Sequence, residues 1–348
     1  MRAVVLYGPN TFAPEEIEKP VCGDDEMILE MKRAAICGTD MRILNGTKTK
    51  DIHYPSVIGH EMSGLISEVG KNVAGYKVGD KVAVAPVIPC GHCPSCLSGR
   101  ENACMQRLAL GYQFNGGFEE YVRIPRQSIQ AGNVVKLPDH VSFQAGALIE
   151  PLACCIRGLK NTGTGFNDTV LVVGAGPIGL MHIQLSKIAG ARKVLVSEPN
   201  EMRRQAALEL GADRAVDPMR EDLAKIVMEE TEGAGADRIV MAIGVPAIVN
   251  STIKLAKKGG TVCLFAGFSG TGESTIEINT IHYNELKITG SSAYRRIDYL
   301  QAADMVITGK IDLDRIATHT YTIDEFAEAY QMMKSGQGLK ILIRPEGA

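Results

Sequence analysis

No stretch of this 348-residue chain approaches the roughly 18 continuous apolar residues that a membrane-spanning helix needs. Met1 to Glu16 holds only the short run AVVLY, without a basic start or a long apolar stretch, so no secretory leader is expected. Charge of one sign is lacking as well. A formal net charge of −3 gives no electrostatic case for nucleic acid or an anionic membrane as a partner. No internal repeat, low-complexity tract or disordered linker is visible. With 45% hydrophobic and 22% charged residues, the chain has the profile of an ordinary soluble globular protein. It is too long for one typical core, so two domains are expected.

Nine cysteines are present, an odd number, and four of them cluster in IPCGHCPSCLSGRENAC. Cys90, Cys93, Cys96 and Cys104 form a C-x2-C-x2-C-x7-C run. Two thiolates separated by two residues reach one metal from a single tight turn, and a third step with a short return loop completes four sulfurs around zinc. Such a shell has no open position, so this metal should brace a loop and do no chemistry. Gly91 and Pro94 favour the turns it requires. Disulfides or plain core cysteines are the weaker readings, and the usage points to metal ligation in a reducing, cytoplasmic compartment.

The first 150 or so residues carry short β-like runs broken by glycine and proline, such as MILEMKRAAIC, MSGLISEVG and DKVAVAPV. From about Pro151 the texture changes. TVLVVGAG, PIGLMHIQLSKIAG, KVLVSEP and NEMRRQAALELGA alternate strand-like and helical patterns, and DRIVMAI, a helical AIVNSTIKLAKKGG and TVCLFAGF continue them. This spacing argues for a parallel sheet wrapped by helices. After about Gly290 the rhythm loosens, ending in helix-like FAEAYQMMKSG and strand-like KILIRP.

Within the second region, Val170 to Val173 runs into Gly174-Ala175-Gly176-Pro177-Ile178-Gly179, and Glu198 stands 19 residues after Gly179 at the end of KVLVS. Strand, glycine loop, helix and acid together make a dinucleotide fingerprint. Gly174 permits the tight turn, Gly176 lets backbone approach the pyrophosphate, and Gly179 lets helix and strand pack closely. The N-terminus of the helix, at Pro177 and Ile178, faces the phosphates. Glu198 should accept hydrogen bonds from ribose hydroxyls, which favours NAD over NADP. Arg203 and Arg204 follow and could soften that preference.

A second ligand set is scattered: Cys37 in AAICGTD, His60-Glu61 in VIGHEMSG, and Glu150 in ALIEPLACC. A thiolate, an imidazole and carboxylates suit a zinc that keeps a position for water or substrate. CGTD, GHE, the four-cysteine lobe, GGFEEY, EPL and GAGPIG occur in one order along the chain. In this the chain resembles the zinc-containing medium-chain dehydrogenases, and most closely their sorbitol (polyol) and L-threonine dehydrogenase branch.

The resemblance implies an α/β protein with two parts. One is a GroES-like β-rich catalytic domain over 1–155, completed by 292–348. The other is a Rossmann NAD-binding domain with a doubly wound parallel sheet over 156–291. It also implies two zinc ions per subunit, one catalytic and one structural, a small-molecule substrate, and a homo-oligomer, tetramer or dimer. Carried over by residue, Cys37 and His60 bind catalytic zinc, Glu61 and Glu150 are alternate ligands, and Thr39 bonds the substrate oxygen and passes its proton onward.

This chain departs from the family at Arg42, where a histidine usually ends the proton relay. Arginine stays charged at any working pH and cannot be the base; it could instead hold a carboxylate or phosphate on the substrate. Lys48 and Lys50 lie close by, and His53 is the candidate substitute base. Tyr294-Arg295-Arg296 falls where sorbitol-type enzymes place a substrate-contacting Arg and Tyr, in changed order. The expected activity is oxidation of a secondary alcohol of a polyol, sugar acid or sugar-alcohol phosphate to a ketone with hydride transfer to NAD. The rivals are L-threonine 3-dehydrogenase and a catalytically silent binding protein of the same fold.

Overall fold

The computed structural model describes residues 1–268, 270 and 272–347. The chain divides into two compact units, Met1–Pro151 with Arg295–Ala348, and Leu152–Tyr294. The architecture is α/β, as the sequence leads one to expect, with one β-rich unit and one built on a parallel sheet.

In the first unit Met27–Ala35 is the central strand of a seven-stranded sheet. It pairs antiparallel with Glu61–Val69, Tyr121–Ile124 and the C-terminal strand Lys340–Arg344. Alternation of apolar residues along these strands buries Met27, Leu29, Met31, Met62, Ile66, Ile341 and Ile343 in one core. Phe326, from the helix Phe326–Ser335, closes that core against Phe118 with ring centroids 5.0 Å apart. The strand register also brings distant parts of the chain together. Ala35 faces Glu61 on one side and Leu342 on the other, so the last strand delivers Lys340 beside the start of Glu61–Val69.

Glu119 is buried in this unit, and Asn115 reaches its carboxylate only at 3.4 Å. Burial pushes its pKa up to about 8, with Asn115 and Arg123 opposing weakly. A carboxyl that stays neutral in the fold but ionises in the unfolded chain above about 4.5 costs stability as pH rises from there through 8. At about 1.4 kcal/mol per unit, the loss is of the order of 5 kcal/mol. Chemical unfolding of Glu119→Gln at pH 5 and pH 9 should show that fall largely removed; an unchanged slope would place the pH dependence elsewhere.

The second unit has six parallel strands in the order Arg214–Val216, Lys193–Ser197, Thr169–Val173, Ala236–Met241, Ala256–Leu264, Lys287–Gly290. The chain starts in the middle, winds outward to one edge, then returns to build the other half. That reversal beside Thr169–Val173 is where a dinucleotide-binding sheet opens its crevice. One expectation needs correction. AIVNSTIKLAKKGG is not one helix: Val249–Ile253 is helical, and a strand begins at Ala256. Pairing of Ala256 with Ala236 and of Thr261 with Arg238 draws the lysine–glycine segment into the sheet, across a register shift. Lys257 then reaches Asp237 at 2.8 Å. Backbone pairing with a neighbour outweighs the local helical pattern here.

Candidate active site and metal centres

The four lobe cysteines converge. The sulfurs of Cys90, Cys93, Cys96 and Cys104 all lie within 4.8 Å of one another. All four are free thiols, with Cys93 and Cys96 sulfurs 3.5 Å apart and Cys90 and Cys96 3.9 Å apart. Cys93 precedes the short helix Pro94–Leu97, with proline in its first turn, and the backbone N–H of Cys90 points at the Cys104 sulfur at 3.5 Å. The thiols differ in proton affinity. Backbone N–H groups, first that of His92, pull Cys90 down to about 6, while burial pushes Cys96 up to about 12. Four sulfurs this close cannot all ionise without a cation among them, and a closed four-thiolate shell fits structural zinc.

The second set also converges. One ligand atom each of Cys37, His60 and Glu61 lies within 4.8 Å of the others. Cys37 caps the helix Gly38–Leu44, and its backbone N–H donates to Asp40 Oδ2 at 2.8 Å. The other Asp40 oxygen lies 3.1 Å from His60 Nδ1. A buried carboxylate behind one ring nitrogen turns the other, Nε2, toward a metal and holds the ring in place. Burial works against charge on His60, but Asp40 and Cys37 outweigh it and raise its pKa well above the usual value. Lys340 Nζ lies 2.7 Å from both carboxylate oxygens of Glu61. Burial would strip the charge from Lys340, yet Glu61 and then Cys37 more than offset this and raise its pKa.

Glu150, in the helix Ile149–Thr162, stands outside the three-atom cluster among the described residues but is buried within its field. Burial raises its carboxyl to about 7; His60 and Lys340 lower it, while Glu61 and Asp40 add to the rise. Tyr112 packs on the His60 ring with centroids 5.9 Å apart, and burial pushes its hydroxyl up to about 12.

Arg42 is exposed at the last turn of its helix, and its Nη2 donates to Thr39 Oγ1 at 3.1 Å. His53 is an exposed loop residue. Tyr294 is buried, in the second unit. Arg295 caps the helix Arg296–Ile307 and grips Asp298 with two N–H groups at 3.0 Å each. That pairing commits its guanidinium to the helix start. Arg296 is exposed and lies against Gly132.

In the second unit, Gly174 takes φ +97°, and a Cβ on Gly179 would fall 1.9 Å from the Gly174 carbonyl oxygen. Only glycine serves at both places. Gly176 caps the helix Pro177–Ile188, whose first residue is proline, so the first free N–H groups face outward from the loop. Glu198 Oε2 accepts from Ala175 N–H at 2.8 Å and Oε1 from Asn200 N–H at 3.0 Å, which fixes the acid beside the glycine loop. Arg204 turns to Asp217 at 3.2 Å and to the carbonyls of Glu198 and Pro199. Arg203 remains near Gly176.

Sequence reading missed Asp40, Lys340 and Tyr112. Asp40 carried a signal, an acid three residues after the helix-capping Cys37. Lys340 carried another, a lysine opening the apolar run ILI.

Comparison with known proteins agrees with this geometry. The model of the alcohol dehydrogenase GroES-like domain matches residues 23–139, and that of the zinc-binding dehydrogenases matches residues 177–308. The chain is 34% identical to D-arabitol-phosphate dehydrogenase of Enterococcus avium, covering 97% of this chain and 94% of that protein. It is 33% identical to L-threonine 3-dehydrogenase of Colwellia psychrerythraea, over 94% of each. With sorbitol dehydrogenase of Halalkalibacterium halodurans it shares 34% identity over 99% of each.

Two solved structures superpose along the whole length. A zinc-binding dehydrogenase target from Sinorhizobium meliloti 1021, bound to NADP, gives a TM-score of 0.92 at 32% identity, covering 99% of each chain. An alcohol dehydrogenase from E. coli CFT073, complexed with NADH, gives 0.90 at 32% identity and the same coverage. Among the described residues no helix is long and apolar enough to cross a membrane. With two zinc ligand sets assembled on a GroES-like unit and a glycine-loop sheet beside them in sequence, the chain belongs to the zinc-containing medium-chain dehydrogenase family, in its polyol and threonine dehydrogenase branch.

Proposed function

We propose that this chain is an NAD-dependent zinc dehydrogenase that oxidises a secondary alcohol of a polyol or polyol derivative to the ketone. The observation that carries the reading is the convergence of Cys37, His60 and Glu61 with Asp40 held behind the histidine. A thiolate, an imidazole and a carboxylate are the donor types catalytic zinc takes, and the buried Glu150, within their electrostatic field, is the alternate carboxylate. Zinc bound there supplies Lewis-acid polarisation of the alcohol oxygen, and NAD supplies the hydride acceptor.

The chain's own residues do the rest. Cys37 and His60 hold the metal, and Asp40 orients both, one through its backbone N–H and the other through its ring. Lys340, 2.7 Å from both oxygens of Glu61, holds that carboxylate in position, where it would serve as a zinc ligand. Thr39 offers its hydroxyl to the substrate alcohol and takes the proton. Arg42 already donates an N–H to Thr39, so it fixes the hydroxyl but cannot receive its proton, which leaves through water. Gly174, Gly176 and Gly179 seat the pyrophosphate. The Glu198 carboxylate, beside the loop, meets the adenosine ribose and disfavours a 2′-phosphate.

L-threonine oxidation is the rival, supported by the 33% identity to an L-threonine 3-dehydrogenase. Arg42 at the relay position counts against it. A silent binding protein is disfavoured because both ligand sets are intact. Zinc-loaded protein should be followed by NADH absorbance against five- and six-carbon polyols, aldonates, polyol phosphates, inositols and L-threonine, with NAD and NADP. Polyol-type turnover with NAD is the expected result, and turnover of threonine alone would replace the reading.

A further inference from the structure

Two cations, Lys48 and Arg42, stand at one edge of the zinc-ligand cluster. Lys48 sits half-buried with its ammonium 5.1 Å from the centre of the Tyr112 ring, the same ring that packs on His60. The loop that carries it folds back on the helix Gly38–Leu44, as Lys48 N–H and Thr47 Oγ1 both donate to the Arg42 carbonyl. Arg42 stands at Thr39. Arg107, Arg42 and Lys50 oppose the charge on Lys48 and Asp51 favours it, while Arg107 itself donates to the Asn102 carbonyl at 3.3 Å. Among the described residues neither Arg42 nor Lys48 makes an ion pair with an acid.

A half-buried lysine facing like charges is unfavourable, and its pKa is lowered, first by burial and then by Arg107 and Arg42. An anion placed between these charges would relieve that cost. We propose that Lys48 and Arg42 form the seat for a phosphate ester on the substrate, beside the alcohol carbon that is oxidised at Cys37 and His60. Two cations side by side match a dianion better than the single charge of a carboxylate. The same cations would repel the ammonium of an amino acid. Lys48 and Arg42 are therefore specificity-determining residues, and this assignment rests on the dehydrogenase reading above.

Zinc-loaded enzyme with NAD should be given D-arabitol phosphate, D-arabitol and the corresponding aldonate, with kcat and KM measured separately. The phosphate ester should show a KM at least tenfold below that of the neutral polyol, about the gain expected from one or two charge-assisted bonds. In Lys48→Gln and Arg42→Gln the ester-to-polyol ratio of kcat/KM should fall at least tenfold, through KM, and Lys48→Arg should recover part of it. A ratio untouched by Lys48→Gln overturns the seat. So does a rise in KM for NAD alone, which would give the cations to the cofactor, or a preference for the aldonate over the ester. Calorimetry with inorganic phosphate on the same protein needs no turnover. Binding weakened by Lys48→Gln supports the seat even if the polyol panel is silent; no binding overturns it even if neutral polyols are oxidised.

Discussion

Cys37→Ala should lower the zinc content from two ions per chain to one and reduce turnover by about a thousandfold or more, on the order of 4 kcal/mol of lost barrier lowering. The reason lies in the position of the thiolate. Cys37 is the cap of the helix Gly38–Leu44, with its backbone tied to Asp40 and its sulfur within 4.8 Å of donor atoms of His60 and Glu61. Removing the sulfur leaves an imidazole and carboxylates, a weaker and harder donor set for zinc. The fold should survive, because the four-cysteine lobe is a separate cluster and keeps its ion.

Cys93→Ala should do the opposite. It opens the closed shell, and because binding of a structural ion is coupled to folding, the loss should appear as a lower unfolding temperature together with the missing zinc. Metal analysis, thermal unfolding and steady-state rates on the two variants separate the roles. Full activity in a Cys37→Ala protein shown to hold a single zinc would remove Cys37 from the reaction.

Short-range chemistry was readable in the sequence, and long-range geometry was not. The lobe cysteines are legible because 15 residues of chain and two glycine- or proline-bearing turns bring them together with little help from elsewhere. The glycine loop is legible because Gly174 and Gly179 answer a clash between neighbours in one strand–helix turn. Lys340 marks itself locally as a lysine opening an apolar run, but its partner in the site could not be read from the sequence. It meets Glu61 from 279 positions away, through a strand pairing that only the finished sheet defines. Tyr112 likewise reaches His60 from a loop that no periodicity marks. The lysine–glycine segment after Ile253 read as helix because its pattern is locally helical, while its hydrogen bonds go to the strand Ala236–Met241. Arg295 was expected from motif position as a substrate contact, and its pairing with Asp298 three residues on is a local feature that motif position did not show.

Lys340→Met should destabilise the protein by about 3 kcal/mol or more, because it leaves a fully buried carboxylate without its partner. Lys340 and Glu61 are both almost wholly shielded from water, and the ammonium is 2.7 Å from each carboxylate oxygen. Attraction across such a contact roughly offsets the cost of desolvating the two charges, so the pair itself adds little net stability. Breaking it on one side keeps the desolvation cost and loses the attraction. The double variant Lys340→Met with Glu61→Gln should therefore recover much of the loss, since neither charge is then stranded. Chemical unfolding of the two single variants and the double, as a cycle, measures this directly, and a coupling energy well above 1 kcal/mol is expected for groups in contact. A double variant as unstable as the sum of the two singles would mean that the pair is incidental to the fold. Activity should fall in Lys340→Met beyond what stability explains, because Glu61 would then be free to lean permanently onto the metal cluster. The C-terminal strand would in that case act on the reaction from the far end of the chain, through one ammonium group that holds one carboxylate in place.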